Sequence, residues 1–212
     1  MAAVAGAMLG FGADRLAARW PVHESDAVRR VDWRTGTVVL ASALSFGGLV
    51  GRWSEPLDVI VLGLYFAALI VLLATDLDQK LLPDLITLPL IGYAAAVTLL
   101  PAVLDIELNP LLASKDLGLA SAIAAAVAAP ALLAITDRVF RGSLGMGDLK
   151  LSVSLGLMSG LSLLFVGFLA ATLLFAVVVV VLLAMRRISL RTAIPFGPAL
   201  IGAGIIAALI QV

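Results

Sequence analysis

Residues 59–90 read VIVLGLYFAALIVLLATDLDQKLLPDLITLPL. From Val59 the chain carries no charge until it meets Asp76, and such a run supplies most of the roughly 20 residues that a bilayer-spanning helix needs. Pro83 pushes Leu82 away from helical geometry, so the spacing predicts a break there and a second apolar helix after it. Asp84 is placed to cap that second helix and to favour its positive end. Pro89, inside the helix, predicts a bend. A carboxylate costs about 3 kcal/mol at the centre of a spanning helix on insertion scales and is rare even toward its end, which makes Asp76 a functional candidate. For Asp78 and Asp84 the expectation is plainer: acids of a solvated loop.

Composition extends this pattern to the whole chain. Its 212 residues are 62% hydrophobic and 13% charged, with mean hydropathy +1.15. Ordinary soluble domains are about 25% charged, so most of this length belongs in lipid. There is no Cys, hence no disulfide framework and no thiolate metal site, and the one histidine, His23, cannot build a zinc site alone. Net charge is zero, so no bulk attraction to nucleic acid is implied.

Eight apolar segments follow, at about 1–13, 37–51, 57–75, 84–104, 117–136, 149–160, 162–185 and 193–212. The fold class expected is an all-α polytopic membrane protein with about eight transmembrane helices in one domain, 1–212. The first segment also resembles the core of a signal peptide but lacks a basic n-region. The sixth and seventh are parted only by Ser159-Gly160-Leu161, a tight reversal or the bend of one long helix. Loops 14–36, 76–84, 137–150 and 186–192 hold twelve of the fourteen basic residues; the alternate loops hold only Arg52 and Lys115. By the positive-inside rule the first set faces the cytoplasm. Asp76 then shares a side with a second acid, Asp148. Trp20 and Trp33 in loop 14–36 suit interfacial anchors, and the outer loop 105–116 is expected to be a solvated connector.

Asp148 ends Gly145-Met146-Gly147-Asp148, with Leu149-Lys150-Leu151 following. Without Cβ atoms the two glycines permit a bend or a close approach, to another helix or to a substrate strand. A Gly-rich turn with Asp148 as helix cap is the plainer alternative. Two acids sharing one low-dielectric site do not both ionise easily, which is the chemistry of an aspartic protease dyad. Lys150 is expected to face lipid headgroups or the carboxylate of its own motif.

These motifs together resemble those of the prepilin peptidases, or type IV leader peptidases, membrane aspartic proteases of the glycine-x-glycine-aspartate class. Asp76 precedes Pro83-Asp84 at the family spacing, and Gly145 to Leu151 matches the second family pattern. Gly6-Ala7-Met8-Leu9 with Arg15-Leu16 is similar to the amino-terminal pattern of the family, and Ile194-Pro195-Phe196-Gly197-Pro198 to its carboxy-terminal one. The resemblance implies Asp76 and Asp148 as catalytic acids, with Gly145, Gly147, Lys150, Pro83 and Asp84 as supporting motif residues. It implies no cofactor and no metal. The implied partners are the bilayer and type IV prepilin or pseudopilin precursors, cut from their basic leaders at the cytoplasmic face of a bacterial inner membrane. Larger members carry a Cys-paired region after the first helix and also N-methylate the product; here the corresponding loop is only 14–36, so methylation is not expected.

Rival functions remain in view. Pro198-Ala199-Leu200 matches a motif of the presenilin and signal-peptide-peptidase branch, but that branch pairs Tyr with its first aspartate, where this chain has Thr75; the tripeptide is read as coincidental. A proton-coupled transporter would also use intramembrane acids as relay groups. No internal repeat of the kind common in transporters is present.

Overall fold

The computed structural model describes residues 1–21, 29–104, 108–112, 115–139, 145–184 and 196–210. Seven helices account for all regular structure among them: α1 (Ala2–Ala17), α2 (Trp33–Arg52), α3 (Pro56–Gln79), α4 (Asp84–Leu104), α5 (Lys115–Val139), α6 (Met146–Ala184) and α7 (Gly197–Ile210). Within α3, α4, α5 and α6 lie stretches long and apolar enough to cross a membrane; α7 is apolar but shorter. The chain is an all-helical, polytopic membrane protein.

Local chemistry sets the helix ends. The Asp32 carboxylate accepts from the N–H groups of Arg34 (2.9 Å) and Thr35 (3.4 Å), while Thr35 Oγ1 accepts from Asp32 N–H, a reciprocal cap that starts α2. Pro56 opens α3, where its missing N–H costs nothing. At the far end Lys80 adopts a left-handed conformation (φ 56°, ψ 38°) and its N–H donates to Asp76 O at 2.9 Å. The break at Pro83 occurs as expected, but the cap of α4 differs. The Pro83 carbonyl accepts from the N–H groups of Ile86 and Thr87 at 3.0 Å, and Asp84 is already the first residue inside the helix. Pro89 is accommodated within a single continuous α4.

The bundle is built around α3. Tyr65, Phe66, Leu69, Ile70 and Leu72 are fully buried, packed with Leu151, Leu155 and Met158 of α6 and Ile201 of α7. Residues that face outward from α5 and α6, such as Val127, Leu132, Phe165 and Val180, are large and apolar, as a lipid-facing surface requires. α1 joins the bundle through Gly6 and Gly10, which lie against Ser42 of α2, and Ser42 Oγ donates to Gly6 O at 2.6 Å.

Gly160 interrupts α6 with φ 67° and ψ 179°, a conformation that residues with a Cβ rarely adopt. The contacts of α7 reveal what this does. Gly204 packs against Leu155, Ala203 and Ala207 against Gly167, and Gly202 against Ala171. On a straight helix Leu155 and Ala171 would stand about 24 Å apart, far more than the rise between Gly202 and Gly204. The chain therefore doubles back at Gly160, and the two arms of α6 flank α7. Of the two sequence alternatives, the tight reversal is the one the chain takes, with Gly160 outside helical geometry.

The connector between α4 and α5 is not simply solvated, contrary to the expectation for loop 105–116. Asn109 is buried; its Nδ2 donates to Thr98 Oγ1 (3.2 Å) and Met158 O (3.1 Å), and its Oδ1 accepts from Leu111 N–H (3.1 Å). Leu157 O, next to the reversal, is held by Thr98 Oγ1 at 2.9 Å. The Asn109 amide and the Thr98 hydroxyl thus satisfy carbonyls that the turn leaves open. Residues 105–107 and 113–114, and the side chains of Lys115 and Asp116, lie outside the described residues.

Candidate active site

α3 does not end at Thr75 but continues through Gln79, so Asp76 occupies its last turn rather than its edge, with 5% of its surface exposed. Asp148 lies in the first turn of α6 and is 8% exposed. Its Oδ2 accepts the Gly145 N–H at 3.0 Å, while its own N–H donates to Gly145 O at 3.1 Å. That reciprocal bond fixes the carboxylate at the helix start, from the third residue of α6 rather than from the cap position that the plainer sequence alternative gave it. Both acids stand at one end of the bundle, because the start of α6 meets the turn after α3 where Gly147 lies against Leu82. Asp76 Oδ2 and Asp148 Oδ1 are buried, and neither has a hydrogen-bond partner among the described residues. Two buried carboxylates at one end of the bundle, each with an oxygen that no described group engages, are candidates for acid–base chemistry.

Of the two glycines of the second motif, Gly147 has a steric use. A Cβ on Gly147 would stand 2.7 Å from Leu82 Cβ and 3.1 Å from Leu82 O, so this glycine admits the turn before Pro83 rather than a substrate strand. The first and second acid motifs are thereby packed directly on each other. Lys150 does not turn to Asp148 of its own motif: its Nζ donates to Asp84 Oδ1 at 2.6 Å, an exposed bridge from α6 to the start of α4.

Two features were not anticipated as parts of the site. The first is Gly197, at the start of α7. A Cβ there would stand 2.5 Å from Asp76 Oδ2 and 2.6 Å from its Cγ, so the backbone of α7 lies directly on the carboxylate. The positive end of the α7 dipole is then beside Asp76. Pro198-Ala199-Leu200, read as coincidental, forms the turn that follows it, with Ala199 and Leu200 buried.

The second is an ionic cluster on the same end of the bundle, and it corrects the expectation that Asp78 is merely solvated. The Asp78 side chain is 3% exposed, with Arg29 Nε 2.7 Å and Arg34 Nη1 3.0 Å from its Oδ1. Arg29 also pairs with Asp14 of α1 and Asp32 at the start of α2, and Arg15 pairs with Asp14. Thr35 Oγ1 donates to Asp14 Oδ2 at 2.8 Å. Partial burial pushes the Asp32 carboxyl up, but the Arg29 guanidinium and the N–H groups of Arg34 and Thr35 hold it below the ordinary carboxylate value. The loop 14–36 is accordingly shorter than expected, since α1 runs to Ala17 and α2 begins at Trp33. Among the described residues no group of three or more His, Asp or Glu side chains is arranged to hold a metal. His23, Ile194 and Pro195 lie outside the described residues.

Comparison with known proteins bears on this geometry. The type IV leader peptidase family matches residues 63–180, more than half of the chain and both acid motifs. A prepilin leader peptidase/N-methyltransferase of Pseudomonas putida is 31% identical over 192 residues, which cover 85% of this chain and 60% of that protein. The chain thus spans about three-fifths of the length of the curated relative it matches. No solved structure matches it.

Proposed function

The chain belongs to the type IV leader peptidase family, and from that premise we propose that it is a membrane aspartic endopeptidase. Its substrates are type IV prepilin-like or pseudopilin precursors, and it removes their basic leader at the cytoplasmic face of a bacterial membrane. One peptidase domain, 1–212, carries the activity. The bilayer is crossed eight times when the two arms of α6 are counted separately. The observation that supports this most is the pair of buried carboxylates, Asp76 and Asp148, each with an oxygen that no described group engages.

In this mechanism one carboxylate takes a proton from water as the water adds to the scissile carbonyl. The partner, in its protonated form, donates to the carbonyl oxygen and the proton passes on to the leaving amine. The dyad titrates as a unit, so the proton belongs to the pair. Gly145 N–H orients Asp148, and the first turn of α7 confines Asp76. Methylation of the new amino terminus is not part of the proposed activity.

The test is cleavage of a synthetic precursor, with a basic leader, a glycine and an apolar segment, by the purified protein in proteoliposomes. A single cut after the glycine is expected. Proton movement without any cut would replace the protease by a transporter. The orientation has its own check, simplified by the absence of native Cys. In right-side-out vesicles an impermeant thiol reagent should label Ser54→Cys directly and Lys80→Cys only after the membrane is opened, because both side chains are exposed at opposite ends of α3. Labelling of Lys80→Cys from outside would remove the cytoplasmic site.

A further inference from the structure

We infer that Arg34 and Arg29 are positioning residues for Asp76, acting as a clamp on the last turn of α3 through Asp78. The inference rests on the proposed role of Asp76 and adds to it the device that holds that residue in place.

A helix C-terminus leaves its last carbonyls without intrahelical partners, and such turns open first. In α3 that last turn is the part that carries Asp76. Lys80 N–H takes Asp76 O, and beyond that the hold comes from outside the helix. Arg34 Nη1 reaches both the Asp78 carboxylate at 3.0 Å and the Asp78 carbonyl at 3.4 Å. Arg29 Nε approaches the same carboxylate oxygen at 2.7 Å. Gln79 Nε2 donates to Pro21 O at 2.9 Å. Every one of these partners belongs to the stretch between α1 and α2 or to the first turn of α2.

That stretch is itself anchored. Arg29 bridges Asp14, Asp32 and Asp78, and its carbonyl accepts from Arg15 Nη1 at 2.9 Å. Three arginines face three aspartates, so the buried charges are compensated and the arrangement is held in one geometry. α1, the start of α2 and the end of α3 therefore meet at the Arg29 guanidinium, whose partner on α3, Asp78, stands two residues after Asp76. Loosening it shifts Asp76 relative to Asp148 without touching either acid, and reactions of oriented groups are sensitive to displacements of this kind. The expected signature is a lower kcat with KM nearly unchanged.

The experiment uses the full-length protein in proteoliposomes with Arg34→Gln, Arg34→Lys, Asp78→Asn and the double variant R34Q/D78N. Arg34→Gln and Asp78→Asn should each lower kcat about 10-fold, and the double variant by about the same factor rather than 100-fold, because both break one linkage. Arg34→Lys, which keeps a cation near Asp78, should recover most of the rate. Amide exchange at Leu77–Lys80 should quicken in Arg34→Gln, a readout that stands even where activity is low. Single variants within twofold of wild type, multiplicative loss in the double variant, or unchanged exchange at Leu77–Lys80 would each overturn the clamp. Absence of cleavage by the wild-type protein would instead defeat the proposed function, so the two failures are distinguishable.

Discussion

Asp76→Asn and Asp148→Asn are each expected to reduce precursor cleavage by about 10³-fold or more while the protein still inserts and melts as the wild type does. General acid–base groups contribute about 10²- to 10⁴-fold, and a shared-proton pair loses both functions when either member becomes an amide. Asn is nearly the same shape as Asp, and neither carboxylate anchors the bundle. Asp76 Oδ2 and Asp148 Oδ1 have no partner to lose among the described residues. The check is initial cleavage rate in proteoliposomes beside a thermal melt of each purified variant. Ordinary processing by either one would take that acid out of the mechanism. Asp84→Asn is the matched comparison. It loses only an exposed bridge to Lys150, worth about 1 kcal/mol or less, and should keep most of the rate.

A second large loss is expected at a residue with no side chain to contribute. Gly197→Ala would set a methyl group 2.5 Å from Asp76 Oδ2 and 3.1 Å from Oδ1. Either the carboxylate rotates away from Asp148 or α7 moves back from α3. Misplacement of a reacting group by an ångström can cost about 10²-fold, and a loss of that order in kcat is expected here. Gly202→Ala, one helix face away, provides the control. Its methyl would meet only Ala171 Cβ, at 3.4 Å, within ordinary contact after a small adjustment. Cleavage by Gly197→Ala within threefold of Gly202→Ala would show that the approach of α7 to Asp76 has no bearing on the reaction.

The contrast between these acids and Gly197 also marks what the chain disclosed before folding. Asp76 and Asp148 stood out as candidates because a charge beside hydrocarbon is costly and needs a reason, and both are buried at helix ends. Pro83 was legible because its ring forbids the helix. The partners of the site were not. Arg29 reaches Asp14 and Asp78 across long stretches of chain, and a pairing of that kind leaves no periodic trace. Asp78 looked like loop because the apolar run stops at Thr75, whereas α3 gains another turn from contacts made with distant residues. Gly197 stands at the head of an apolar helix, where a glycine says that something comes close but not what. Asn109 was read as part of a polar connector, since composition cannot tell a solvated amide from one that plugs a turn.

The reversal at Gly160 has a consequence for the lipid itself. The first arm of α6, from Met146 to Ser159, is about 21 Å long and the second, from Leu161 to Ala184, about 36 Å, against a hydrocarbon thickness of about 30 Å. A bilayer fitted to the long arm overshoots the short one, and the short arm is the one that begins with the Asp148 turn. Membranes meet such mismatch by thinning locally, at a cost of a fraction of a kcal/mol per ångström. A dimple in the leaflet over Met146 would bring water to the two acids and bend the surface along which an apolar substrate segment approaches. Turnover should therefore rise as the acyl chains of the host bilayer are shortened and fall as they are lengthened, at constant headgroup. A rate indifferent to acyl length would mean that the protein fills the gap with its own residues and leaves the membrane flat.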